Sequence, residues 1–396
     1  MPARRSSPSF AVVALLAGVG PLATDMYLPT LPVLGSDLGT SAAGAQLTLT
    51  AFIIGMAAGQ VLLGPFIDAT GRRAFALAGP AVFAASSAVC AVTASVGVFL
   101  TARGVQGLAA AAGMVAARAV VSDQYRGTEA ARRFGMLSSI ILLAPIVAPI
   151  LGAAILLVGT WRTMFALLAA VGVAQVVGVL TRVPETLPRA ERHPASLPAT
   201  VARMGKLLRD WNFSGHVLVQ SLAIMGFFSY IGGSAFALQD GYGMDASTYG
   251  LVFAGNAVFM AASSAAMTRL VVRFRVVRLR DAGLVLASLG AVVLLVAVVA
   301  APDRLPPLWK VLACLPLVTA GMGLVIPASI TIAQEAGHWA RGTAAALQGG
   351  ISFTCGALVT PLTGLAPGAA LPVMAGAMAG FLVLAAVAAR FAPDPR

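Results

Sequence analysis

Polar residues in this chain come in short bursts between long apolar stretches. The apolar runs cover 9–35, 44–67, 74–95, 97–122, 133–158, 161–182, 213–238, 247–270, 281–300, 307–333, 341–363 and 369–390. Each is near the ~20 residues that a helix needs to cross ~30 Å of hydrocarbon. The runs are continuous rather than alternating, which excludes a membrane β-barrel. The pattern predicts an all-α membrane protein of about twelve transmembrane helices.

One long interruption separates the sixth and seventh runs. It holds Pro184, Pro188, Pro194 and Pro198 and many charges, so it reads as a linker. The chain is thus expected to divide into an N-terminal six-helix half (1–183), a cytoplasmic linker (184–212) and a C-terminal six-helix half (213–396). Within the linker, Val201, Met204, Leu207, Leu208 and Trp211 recur near helical spacing, with Arg203, Lys206 and Arg209 between them. That spacing predicts a short amphipathic helix on the membrane surface. A faint repeat, Val147–Gly152 in span five and Val359–Gly364 in span eleven, fits two parallel-related halves.

Composition agrees. Hydrophobic residues make up 59% of the chain and charged ones 10%, where a soluble domain has about half and about a quarter. The net charge of +12 would suit nucleic acid. The basic residues, however, sit in clusters between apolar runs, which is how a membrane protein sets its orientation, so no nucleic-acid partner is expected. With the N-terminus inside, 21 of the 26 Lys and Arg fall on the cytoplasmic side. The outer loops keep only Arg162, Arg304 and Lys310, and Arg103 and Arg118 lie in span four. The expected location is the inner (plasma) membrane, multi-pass, with both termini cytoplasmic. Arg4-Arg5 and the run after them lack a small-x-small cleavage pattern, so they open the first helix rather than a signal peptide.

Few residues offer chemistry. Cys90, Cys314 and Cys355 each lie in an apolar run without a partner at metal-ligand spacing, and His193, His216 and His338 are scattered. No catalytic group, metal or cofactor is expected, and the chain does not read as an enzyme. Ionisable groups in lipid are costly and therefore functional suspects. Asp25 lies about sixteen residues into span one, beyond the midplane at ~1.5 Å per residue. Arg103 lies inside span four, and Arg118 is close enough to its end to snorkel. A structural Asp25–Arg103 ion pair and a functional acid are compatible readings.

The segment Gly64–Arg73 places Asp68 at a helix end, then Gly71, Arg72 and Arg73. It suits a tight turn with a charge cluster at the membrane surface, with Asp123 at the end of span four as a second acid. A loop that only sets topology is the other reading. Pro145 and Pro149, four apart and followed by Gly152, remove two donors from one face and bend span five. Small residues beside them allow close helix contact.

These residues carry a resemblance. Asp68-x-x-Gly71-Arg72-Arg73 resembles the loop motif of the major facilitator superfamily, and Arg103-x-x-Gln106-Gly107 is similar to its span-four motif. The Pro145/Pro149/Gly152 helix resembles the motif of its antiporters. Asp25-Met26-Tyr27-Leu28-Pro29-Thr30-Leu31-Pro32, Gln46, Gly59-Gln60 and Gly342–Leu347 resemble the Bcr/CflA group of drug:proton antiporters, which has bicyclomycin and phenicol exporters in or near it. The likeness spans the chain and is strongest from 21 to 162.

The resemblance implies the major facilitator fold. It implies a secondary active transporter that exports small drug-like or antibiotic molecules by proton antiport with alternating access. Asp25 then matches the proton- and substrate-linked acid and Arg103 the arginine that responds to its protonation. Asp68, Gly71, Arg72, Arg73 and Asp123 match a cytoplasmic conformational latch. Ala69 stands where the family has a basic residue, Phe66-Ile67 replace Leu-Ser, and Ala17 stands where some relatives carry a second acid. A proton-coupled or facilitative carrier of a metabolite is the alternative. The cavity is expected to use Asp25, Leu49, Phe227, Phe228 and Asn256, the last three chosen for aromaticity or polarity, with ordinary packing as the competing explanation. The partners are a small-molecule substrate, protons and the lipid bilayer, and the chain is expected to act as a monomer.

Overall fold

A computed structural model describes residues 9–188, 192, 197–301, 305–366 and 368–393. Arg4, Arg5, His193, Pro194 and Arg304 lie outside the described residues. Among the described residues there are helices and no strands, and twelve helices or joined helices are long and apolar enough to cross a membrane. Many large apolar side chains on them face outward, among them Leu62, Val173, Leu180, Val285, Leu289 and Val296, as a lipid-facing surface requires.

Contacts group the chain into two compact units: Met1–Tyr27 with Ala51–Thr200, and Leu28–Thr50 with Val201–Arg396. In the first unit, α1 (Phe10–Asp25) packs on α5 (Val96–Gln124) and α6 (Gly127–Leu156). There α4 (Arg72–Val92) lies against α5 and α7 (Trp161–Arg182). Small residues permit these approaches. A Cβ on Gly107 would collide with the Phe52 carbonyl oxygen of α3 (Ala42–Thr70), and one on Gly79 would come within 3.0 Å of the Ala109 carbonyl oxygen.

In the second unit, α9 (Trp211–Ala235) is packed by α12 (Leu308–Ala336), α13 (Arg341–Val359) and α14 (Ala370–Phe391). Helix α10 (Ala246–Leu270) lies on α12, and α11 (Val276–Val299) on α12 and α14. The linker helix is α8 (Leu197–Arg209). Its Leu207 is buried with Phe213, Val217 and Leu347, while Val201, Leu208 and the adjoining Trp211 stay exposed.

The first apolar run, 9–35, is not one helix. Helix α1 stops at Asp25, a 3-10 turn covers Leu28–Thr30, and α2 runs Leu31–Asp37. Pro29 has no N–H to return to the Asp25 carbonyl, and Pro32 repeats the problem one turn later. The piece beyond the break packs in the second unit. There the Gln46 carboxamide donates to the Gly232 carbonyl (2.8 Å) and to Thr363 Oγ1 (2.7 Å). The Thr50 hydroxyl donates to the Ala357 carbonyl at 2.7 Å, and Gln239 Nε2 to the Pro29 carbonyl at 3.0 Å.

Candidate functional site

Asp25 ends α1 as a half-buried carboxyl. Among the described residues no ion pair joins it to Arg103. Arg103 is fully buried and satisfied in another way. Its guanidinium lies over the rings of Phe52 (4.4 Å), Tyr27 (4.5 Å) and Phe165 (5.5 Å). Desolvated cation–ring contacts are worth ~2 kcal/mol or more, so the cage offsets much of the cost of burial. The Arg103 Nη1 donates to Gln106 Oε1 at 2.6 Å, and both terminal nitrogens reach the Ala23 carbonyl at 3.4 Å. Gln106 in turn donates to Ser87 Oγ at 2.6 Å. The arginine therefore grips the backbone of α1 two residues before Asp25 rather than the acid itself.

Helix α6 meets the same place. Pro145 and Pro149 lie inside α6, and Gly152 faces the break after α1. A Cβ at Gly152 would collide with the Met26 carbonyl oxygen, so only glycine fits this approach.

Asp68, Gly71, Arg72, Arg73 and Asp123 come together. Arg72 pairs with Asp68 and, through Nε at 3.1 Å, with Asp123. The linker adds residues that sequence reasoning missed. Glu185 accepts from the Arg72 N–H (3.0 Å) and the Arg73 N–H (3.4 Å), so a carboxylate caps the positive end of α4. Thr186 donates to Asp123 at 2.8 Å, and Arg192 pairs with Glu185 at 3.3 Å. Gly71 has φ +109°, and a Cβ there would strike the Glu185 carboxylate. The signal was present in Pro184-Glu185-Thr186-Leu187-Pro188, an acid held between two prolines directly after span six.

The second unit brings rings together. Phe227 and Phe228 have centroids 6.4 Å apart, Phe228 meets Phe353 at 6.0 Å, and Phe227 meets Tyr230 at 6.1 Å. Tyr230 stacks on Phe253 at 5.5 Å with 8° between planes, and Tyr249 lies 6.1 Å from Phe253. Asn256 stands three residues beyond Phe253 on α10 and is buried. Leu49 is buried in the same unit, beside Thr50. Of these rings the sequence reading had only Phe227 and Phe228. Separately, buried Arg280 donates to His216 Nδ1 at 2.9 Å and to Asp281 at 2.8 Å. A guanidinium has no acceptor, so the imidazole nitrogen accepts.

Comparison with known proteins bears on the fold and the family. The Major Facilitator Superfamily matches residues 13–361. The chain is 34% identical over 363 residues to the MFS-type transporter YdgK of Bacillus subtilis, covering 91% of this chain and 89% of that protein. It is 30% identical over 302 residues to a chloramphenicol resistance protein of Pseudomonas aeruginosa, covering 75% and 70% of the two chains. It is also 30% identical over 261 residues to a bicyclomycin resistance protein homolog of Haemophilus influenzae, covering 66% of each. Among solved structures, the fold matches a D-xylose-proton symporter with a TM-score of 0.76 at 16% identity, over 98% of both chains. The chain belongs to the major facilitator superfamily and, within it, to the Bcr/CflA drug exporter group. It is a multi-pass membrane transporter, not an enzyme.

Proposed function

We propose that this chain exports small, apolar or weakly polar aromatic molecules across the inner membrane in exchange for protons, by alternating access. The observation that carries the reading is Asp25: a half-buried carboxyl inside a span, with no ion-pair partner among the described residues. An acid of this kind takes and releases a proton without first breaking a salt bridge. Its neighbour Arg103 is held by Gln106, the Ala23 carbonyl and three rings, and senses the acid through the backbone it grips. Proton and solute then compete at one site, and release of one accompanies binding of the other. The Asp68–Arg72–Asp123 cluster serves as the latch, because charge-assisted bonds hold one of two discrete arrangements. The resistance proteins named among the relatives support a drug-like cargo.

Asp25→Asn imitates the protonated acid. Gradient-driven efflux from energised vesicles should fall by about a hundredfold or more, with binding of neutral solutes retained. Solute-induced proton release from the purified protein should vanish. Near-normal pumping against a gradient by Asp25→Asn would place the coupling acid elsewhere.

Both termini and the linker face the cytoplasm in this reading, on the distribution of Lys and Arg. In a cysteine-free background, Trp309→Cys should label from outside intact cells and Leu208→Cys only after permeabilisation. The reverse result inverts the orientation.

A further inference from the structure

Next to the ring file, Asn256 is a polar side chain of the second unit whose bonding is incomplete. It is 5% exposed. Its Nδ2 donates to the Val252 carbonyl at 2.9 Å. A carbonyl only accepts, so this bond fixes which end of the carboxamide points where. The other end, Oδ1, is buried with no partner. A buried amide oxygen without a donor is costly, and native proteins keep few of them. The hydroxyls of Ser234 and of Tyr249, two turns earlier on the same helix as Asn256, share a hydrogen bond with each other at 2.9 Å. Phe253 lies one turn from Asn256 on the same helix, stacked on Tyr230, which continues the file to half-buried Phe227.

We infer that Asn256 with Phe227, Tyr230 and Phe253 forms a recognition site for a flat aromatic solute that bears an N–H or O–H donor. The rings take the apolar face of the solute, and Asn256 Oδ1 accepts its hydrogen. This rests on the export reading above and adds the chemistry of the cargo. It also predicts how the site discriminates. A site built to pair with a donor rejects a same-shaped analogue without one far more strongly than an apolar wall rejects a change of one methylene.

Acridone and xanthone test this, because they share a flat tricyclic frame and differ at one ring position, N–H in the first and O in the second. Full-length protein in lipid nanodiscs is titrated with acridone, read by fluorescence anisotropy, and xanthone is read by displacement. The wild type should prefer acridone by about tenfold or more. Asn256→Leu should bring the preference below about twofold by weakening acridone alone, whereas Phe227→Leu should weaken both alike. Equal binding of the two by the wild type, binding of neither, or an unchanged preference in Asn256→Leu overturns the assignment. The wild-type comparison holds whether or not a variant folds. Nanodiscs carry no gradient, so this result is independent of the vesicle efflux that decides the export reading.

Discussion

In the first unit, several ionic side chains are each held at a definite point. Arg103 holds the Ala23 carbonyl, Glu185 holds the first N–H groups of α4, and Arg72 bridges Asp68 and Asp123. In the second unit, next to the rings, the polar groups are amides and hydroxyls. Gln348 donates to Gln220 and to the Ser329 carbonyl, Ser221 meets Ser352, and the rings run on from Phe353 to Tyr249. The Arg280–His216–Asp281 cluster and the Asp245 cap of α10 are exceptions. Ionic groups with fixed partners suit discrete states, which either hold or release. Under the proposed function, a file of rings would give different solutes an apolar face. In that reading the first unit would do the switching and the second the recognition.

The sharpest way to break that contrast is to remove one anchor from each side. Arg103→Leu empties a ring cage and removes the arginine's donors to the Gln106 oxygen and the Ala23 carbonyl. It should cost about 3 kcal/mol or more in a denaturant titration of the purified protein. Phe253→Leu loses one stack and part of a second, which should cost about 1 kcal/mol. Equal losses would mean that the rings are as tightly specified as the guanidinium. A smaller effect is expected at the latch. Asp68→Asn and Glu185→Gln should each slow turnover by about three- to tenfold with the solute Kd unchanged, a rate effect of about 1 kcal/mol. Unchanged turnover in both correctly inserted variants would leave this cluster as a topological loop only.

The smallest effect belongs to Asp245, outside the spans, which caps α10. Its carboxylate accepts from the Thr248 hydroxyl (2.6 Å) and from the N–H groups of Thr248 (2.9 Å) and Ser247 (3.0 Å). These bonds hold its pKa below the ordinary 3.8. A depressed folded value stabilises the protein above the ordinary pKa, and the benefit is lost as pH falls through the folded one. The stability gap between wild type and Asp245→Ala should therefore narrow from about pH 6 to about pH 3. A gap that widens on acidification would reverse the sign of this cap.

Much of the first unit was legible because its chemistry is local. Asp68, Gly71, Arg72 and Arg73 sit within six residues, and an acid such as Asp25 stands out in an apolar run. The twelve spans were legible because hydropathy alone defines them. The break after Asp25 was not read, although Pro29 and Pro32 announce it, because hydropathy ignores backbone donors. Glu185 was passed over because a charge in a linker looks solvated until the fold carries it to the start of α4. Tyr230, Phe253 and Phe353 look in sequence like any lipid-facing ring. Only the pairing of α9 with its neighbours makes them a file. The attachment of Leu28–Thr50 to the second unit depends on side chains such as Gln46, whose partners lie far along the chain.

The place of Asp25 inside a span has an electrical consequence. Under the export reading, a proton arriving at Asp25 neutralises a carboxyl that has no ion pair among the described residues. The membrane-embedded charge changes by a full unit. Under the export reading, each proton that Asp25 carries in exchange for a neutral solute moves one positive charge inward. A voltage of 100 mV, worth about 2.3 kcal/mol per charge, would then support about fiftyfold accumulation with no pH difference at all. A singly charged cation exchanged for the same proton would gain nothing from the voltage. Which of the two cargoes keeps moving when the pH gradient alone is collapsed thus reports the net charge moved in each cycle.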